Sequence, residues 1–199
     1  TKEMENITKT DRRIIRTKQS ITKSFLELFS EKDLEQITIN EIAERANVNR
    51  GTVYLHYSDK YDLLDKCIED HINELISLCK KQEANPVSQG MVYNSKPVFD
   101  YIRDHFPFFS AMFSNQRASL FRDRLLHFIS ASLMDKMEGP DNGHVIDNEL
   151  NAQFLASAFI GIVEWWIRHQ MPHSTDFMAD QVRKLFKKNQ IYPNVMKRS

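Results

Sequence analysis

The residues best placed to do chemistry in this 199-residue chain crowd into TINEIAERANVNRGTVYLHYSDK, residues 38–60. The chemistry they suit is recognition by hydrogen bonds and charge. Arg50, Thr52, Tyr54 and His56 keep polar tips free along one short helix. Tyr54 and Tyr57 sit beside Lys60, and hydroxyls with an ammonium suit phosphate oxygens. Gly51 lies one residue into that helix, where glycine costs about 1 kcal/mol relative to alanine. Its missing side chain lets a backbone approach another molecule closely. Two short helices around a tight turn, the second so equipped, is how a protein presents a helix to the major groove of DNA. On pattern alone, a structural hairpin whose polar face is merely solvated stays open beside it.

Other chemistries lack a pattern. The seven histidines do not cluster. His169 and His173 have helical i,i+4 spacing, but Pro172 interrupts and no cysteine or carboxylate completes a ligand set. There is no nucleophile elbow, Gly-rich phosphate loop or H-E-x-x-H motif in the sequence. No metal and no cofactor is expected, and a helical enzyme with an incidental helix pair is the weaker class. Thirteen phenylalanines are many for this length. Phe109, Met112, Phe113, Phe128 and Trp166 suit the wall of an apolar effector cavity, with His105, Arg103 or His127 as its polar groups. An ordinary solid core is the other reading of the same residues.

The elements that must position these residues are helical throughout. Thr38 and Glu41 have capping-box spacing, and Ile39, Ile42, Ala43 and Ala46 follow with helical period. Asn47 tolerates the left-handed conformation that stops a helix, and Val48 tucks inward. Asn49 can cap the second helix through its side-chain oxygen, with Val53 facing in. A first helix over about Thr10–Ser30 carries Ile14, Ile21, Phe25 and Leu28 on its packing side and Arg12, Arg13, Arg16 and Lys18 as backbone-approaching charges. Asp59 can cap a long helix to about Gln82, with Leu64, Ile68, Ile72, Leu75 and Cys79 on its inner stripe. It begins beside the reading element and ends in the second domain.

Residues 84–96 read as a linker. Beyond it, helices are expected near Val98–His105, from Pro107 to about Asn115, over Arg117–Met137, over Asp147–Gln170 and from Ser174 or Thr175 to about Asn189. Gly139–Gly143 reads as a loop and Thr1–Thr8 as a tail. The sum is an all-α chain of about nine helices, divided into residues 1–60, a helix-turn-helix domain, and 61–199, an effector-binding and dimerisation domain. Ala156, Ser157, Ala158 and Gly161 form a small-residue stripe. With Phe154, Trp165, Leu185 and Phe186, it marks residues 147–189 as half of a four-helix dimer interface, intramolecular packing being the alternative.

Lysine plus arginine equals aspartate plus glutamate, 27 each, so overall charge does not advertise a nucleic acid. The charge is uneven, however. Lys9 to Lys23 holds six basic residues against Asp11 alone, which fits a small DNA-binding head on a larger body. Cys67 and Cys79, twelve residues apart on one helix, lie roughly 18 Å apart along its axis and cannot pair within the chain. With no signal peptide read at the start, the expected location is cytoplasmic. The apolar run Phe154–Ile167 is short for a membrane span and carries Glu164, so a buried helix is expected and no membrane partner.

The segment around the turn resembles the DNA-binding domain of the tetracycline-repressor (TetR) family. Its pattern I-A-x-x-A-G-V-[ST], then x-G-[TS]-[LFV]-Y-x-[HY]-F-x-[SN]-K-x-x-L, is matched by Ile42–Ala43, Ala46, Val48, Gly51–Thr52–Val53–Tyr54, His56–Tyr57, Lys60 and Leu63. Phe29 and Ile37–Thr38–Ile39 match upstream. Asn47 and Asn49 depart from the family's turn glycine and Ser/Thr cap, and Leu55 stands where many members carry a larger polar or aromatic residue. FLASAFIGIVEWWIRHQMP, Phe154–Pro172, is similar to the C-terminal domains of the family branch from low-GC Gram-positive bacteria. The resemblance implies a homodimeric regulator, a repressor on a pseudo-palindromic double-stranded operator. Arg50, Gly51 and Thr52 would face base edges, and Thr38, Asn40, Tyr54, His56, Tyr57 and Lys60 phosphates or the groove rim. With the clustered aromatic residues of the second domain, an apolar or aromatic small-molecule effector is a further expected partner; a ligand-independent or protein-partnered regulator with a solid core is the alternative.

Overall fold

The computed structural model describes residues 9–83, 95–114, 119–137 and 147–188. Among these residues there are nine α-helices and one short 3-10 helix, and no strand. The all-α expectation holds. The expected tail at Thr1–Thr8, the linker as far as residue 94 and the Gly139–Gly143 loop lie outside the described residues. The chain divides into two compact units, Thr1–His71 and Ile72–Ser199, with the division falling inside one long helix.

The first unit is built on α1, Lys9–Glu31. Ile21, Phe25, Leu28 and Phe29 recur at helical spacing and are all buried, while Ile14 is exposed rather than packed. A 3-10 turn over Leu34–Gln36 leads to α2, Ile39–Arg45, and α3, Arg50–Tyr54. Helix α4, Lys60–Glu83, starts where Asp59 Oδ1 accepts the N–H groups of Tyr61 and Asp62 at 2.8 and 2.9 Å. Its inward stripe begins at Leu63 rather than Leu64, and Leu63, Cys67 and Ile68 are buried. Burial pushes the Cys67 thiol up to about 12, against a hydrogen bond with Thr22. A thiol so protected is inert packing.

The second unit contains α5, Lys96–Asp104, α6, Phe106–Ser114, α7, Ser119–Met137, α8, Asn148–Arg168, and α9, Thr175–Lys188. Helix α8 packs against α7 and α6, and α5 packs against α9. Ala152, Leu155, Ala156, Phe159, Ile160, Val163, Trp166 and Ile167 form the buried face of α8. That helix is 21 residues, inside the expected Asp147–Gln170 span, and by length and composition alone it is long and apolar enough to cross a membrane. Trp166 stands edge-on to Phe99 at 5.3 Å, and its Nε1 donates to the His173 carbonyl at 2.9 Å.

Between α8 and α9 the backbone turns through two consecutive left-handed residues, Gln170 at φ 59° and Met171 at φ 52°. The Met171 N–H donates to the Trp166 carbonyl at 2.8 Å, and Arg168 Nη2 donates to the Phe113 carbonyl at 2.9 Å. Ser174, not Thr175, caps α9, its Oγ accepting the Phe177 N–H at 3.2 Å. Thr175 is buried, and its hydroxyl donates to Asp100 Oδ1 at 2.6 Å, with Lys96 on the other carboxylate oxygen at 2.9 Å. That bond fastens α9 to α5. Thr175→Val keeps the volume and removes the donor. It is expected to destabilise the chain by about 1–3 kcal/mol, read as a lowered denaturant midpoint with an unchanged slope.

Candidate nucleic-acid interface

The reading element depends on how α2 is anchored. At its start Glu41 N–H donates to Thr38 Oγ1 at 3.3 Å and Thr38 N–H donates to Glu41 Oε2 at 2.9 Å, the reciprocal box its spacing predicts. Lys32 Nζ sits 2.5 Å from the other Glu41 oxygen. The Lys32 ammonium and then the Thr38 donors hold the Glu41 carboxyl down at about 2. At the far end, Arg45 makes a two-pronged pair with Glu31 at 2.6 and 2.9 Å, and Ser20 Oγ donates to the Ala46 carbonyl at 3.0 Å. Both ends of α2 are therefore tied to the α1 side of the unit.

A single residue makes the turn. Asn47 takes φ 52°, the left-handed geometry expected of it, and the Val48 N–H closes α2 on the Ala43 carbonyl at 2.9 Å. Asn49 Oδ1 then accepts the Gly51 N–H at 2.9 Å and starts α3. A helix of five residues is far below the length that is stable alone, so its placement comes from burial of Val53, which is 0% exposed. On the outside stand Thr38, Asn40, Arg50, Gly51 and Tyr54, with Thr52 and His56 half-buried. Arg50 Nη2 reaches the Tyr54 hydroxyl at 3.2 Å, and its guanidinium lies 5.3 Å over that ring. The pair forms one donor-rich surface.

Two of the expected contacts face the other way. Tyr57 is only 6% exposed. Its N–H donates to the Val53 carbonyl, so it continues the buried side of α3. Burial raises its phenol above the usual range, with a Thr22 hydrogen bond opposing, and Lys66 Nζ lies 5.3 Å over the ring. The matching motif carries Phe at this position, and that apolar signal outweighs the hydroxyl. Lys60 Nζ donates to the carbonyls of Glu35 and Ile37 at 2.8 and 3.0 Å. It is a strut holding the segment before Thr38, a job that no local spacing announces.

The chain's own packing gives no reason for glycine at position 51. A Cβ placed there would meet only Asn49 Oδ1, at 3.5 Å, an ordinary contact, and its φ is not in the left-handed range. Neither packing nor backbone geometry requires glycine. The open space lies on the exposed face, beside Arg50 and Tyr54.

Of the proposed cavity residues, Phe109, Phe113 and Phe128 line a void in the second unit with Leu75, Cys79, Val98 and others. Met112 and Trp166 do not line it; both are fully packed core. The void's volume is about 20 Å³ and its lining is wholly apolar. That is room for about one water, against the ~300–1,000 Å³ of ordinary ligand sites. Arg103 is engaged by Asp100 and Asp104, and His105 by the Tyr101 carbonyl, so neither points a free group at the void.

Residues 21–67 match the family model described as bacterial regulatory proteins, tetR family, and residues 95–188 match one described as a transcriptional regulator C-terminal region. The uncharacterised HTH-type transcriptional regulator YxbF of Bacillus subtilis is 23% identical over 188 residues, covering 86% of this chain, which in turn spans only 45% of YxbF. The icaADBC biofilm-operon negative transcriptional regulator IcaR of Staphylococcus epidermidis is 22% identical over 182 residues, covering 88% of this chain and 95% of its own length. Among solved structures, a TetR-family regulator from Syntrophomonas wolfei superposes with a TM-score of 0.67 at 20% identity, covering 91% and 98% of the two chains.

Two outcomes are expected from this geometry. Gly51→Ala should raise the stability of the free protein by up to about 1 kcal/mol while lowering its affinity for duplex DNA, measured by thermal melting and by fluorescence anisotropy on one sample. The second concerns Glu41. Its carboxyl is held below its ordinary 4.5, at about 2, so its contribution is full above about pH 4.5 and disappears as pH falls toward 2. Acid unfolding followed by circular dichroism should therefore be shallower over that window in Glu41→Gln than in the parent.

Proposed function

The chain belongs to the TetR family of bacterial transcriptional regulators, and on that premise we propose that it is a repressor binding a pseudo-palindromic operator as a homodimer. The observation that carries this reading is the unfilled space at Gly51 on the outward face of α3, flanked by Arg50 and Tyr54. DNA binding is assigned to the helix-turn-helix unit, dimerisation to the second unit. Arg50, Gly51 and Thr52 face base edges, and Thr38, Asn40, Tyr54 and His56 face phosphates or the groove rim. Lys60 and Tyr57 act behind them. IcaR is by name a negative regulator, which supports repression. A DNA operator as partner supports a cytoplasmic location.

Dimerisation is supported by an exposed row on α8. Leu150, Phe154, Ser157, Gly161 and Trp165 recur every three or four residues and all face outward, with Phe177 and Leu185 exposed on α9. A Cβ at Gly161 would meet nothing within 4 Å, so the chain's own packing does not need glycine there either. A second copy of the chain would. Two-fold symmetry then sets the half-sites one helical turn, about 34–36 Å, or a multiple apart.

The effector is a separate question. Among the described residues, a void of about 20 Å³ favours the reading in which the aromatic middle is solid core. A melting-temperature screen with fatty acids and aromatic amphiphiles should then give no rise; a saturable rise for any of them would restore the ligand-responsive reading.

Arg50→Ala should cost about 1–3 kcal/mol of operator affinity and relax selection at one base pair per half-site. Sequence selection from a random duplex pool with both proteins checks this, and an unchanged selected sequence would refute the docking. The double variant Phe154→Glu, Trp165→Glu should sediment as a monomer and lose the two-fold symmetry of the selected site.

A further inference from the structure

Leu55 is 80% exposed, and among the described residues no large apolar side chain is more exposed. It sits at the C-cap of α3 with helical backbone, φ −67° and ψ −21°, its N–H on the Gly51 carbonyl at 3.1 Å. With 3.6 residues per turn, Gly51 and Leu55 each lie about 160° around the helix from the fully buried Val53. They therefore share the centre of the outward face, one turn apart. Arg50 and Tyr54 flank it on one side and Thr52 on the other.

This face has a polar edge and an apolar centre. Leu55 can neither donate to a phosphate oxygen nor accept from a base amine. In the major groove the one apolar feature on a base edge is the 5-methyl group of thymine. The bare backbone at Gly51 lets the helix approach closely, and that closeness is what would bring an isobutyl group within van der Waals reach of the groove floor. We propose that Leu55 is a specificity-determining residue that reads a thymine methyl in each half-site. This rests on the DNA-reading orientation proposed above and adds to it a base preference that Arg50 cannot supply.

The test removes only the methyl. An operator is first selected from a random duplex pool with the full-length chain. Each of its thymines is then replaced by deoxyuridine, symmetrically in both half-sites, and affinities of the parent and Leu55→Ala are measured at one salt concentration. Burying one methyl group is worth about a fourfold change per half-site. At one symmetric pair of thymines, the parent should lose about fifteenfold in affinity. Leu55→Ala should bind the unmodified operator more weakly and be indifferent to the same replacement. Its melting temperature should match the parent's, since the side chain is exposed. The proposal is overturned if Leu55→Ala keeps the parent's uridine penalty at every position, or if the parent selects a sequence but shows no penalty anywhere. If the parent selects no sequence at all, the DNA-reading orientation itself fails, an outcome distinct from the other two.

Discussion

The fold's recognition surface depends on the burial of Val53 behind a turn that only a left-handed residue can make. A five-residue helix has almost no stability of its own. It exists because Asn47 reverses the chain, Asn49 caps the start of α3, and Val53 with Tyr57 inserts into the core. Everything outward on α3 is positioned by its inward side chains. The struts support the same end: Lys60 on the Glu35 and Ile37 carbonyls, Lys66 on the His56 carbonyl, and Arg45 on Glu31.

Charge in this unit serves largely to fix geometry. The Lys32–Glu41–Thr38 cluster uses a carboxylate as a double acceptor at a helix start, and its ammonium neighbour keeps that carboxylate ionised far into acid. Such pairs, partly or wholly open to solvent, are individually worth little. Their value lies in holding α2 at both ends, so that the turn and α3 begin from a defined place.

Local features were legible in the sequence because they need only neighbours three or four residues away. The Thr38–Glu41 box, the Asn47 reversal, the Asn49 cap and the Asp59 cap are all of this kind. Features that depend on distant partners were not. Lys60 has the composition of a phosphate contact and the position of a strut, and the carbonyls it meets lie 23 and 25 residues away. Tyr57 has a polar tip, yet it stands one helical turn beyond Val53 on the same inward side, and that buries it. Met112 and Trp166 share composition with cavity walls, but whether clustered phenylalanines enclose space or fill it depends on packing that periodicity does not encode. Glycine is the reverse case: a Cβ at Gly51 would make only an ordinary contact and one at Gly161 would meet nothing within 4 Å, so the packing of the chain itself does not account for either.

The corner between α8 and α9 carries a further consequence. Two successive non-glycine residues in the left-handed region each cost of order 1–3 kcal/mol, and they persist because Trp166 is bonded on both its carbonyl and its indole N–H. Around this corner the rings of His169, Trp165, His173 and Phe177 follow one another in that order, with neighbouring centroids 4.8, 6.1 and 4.4 Å apart. The corner therefore works as a fixed-length spacer. Adding or removing one residue would pull Met171 and His173 off their bonds to Trp166 and scatter the row, so this is a part of the chain where substitution is far easier to accommodate than any change in length.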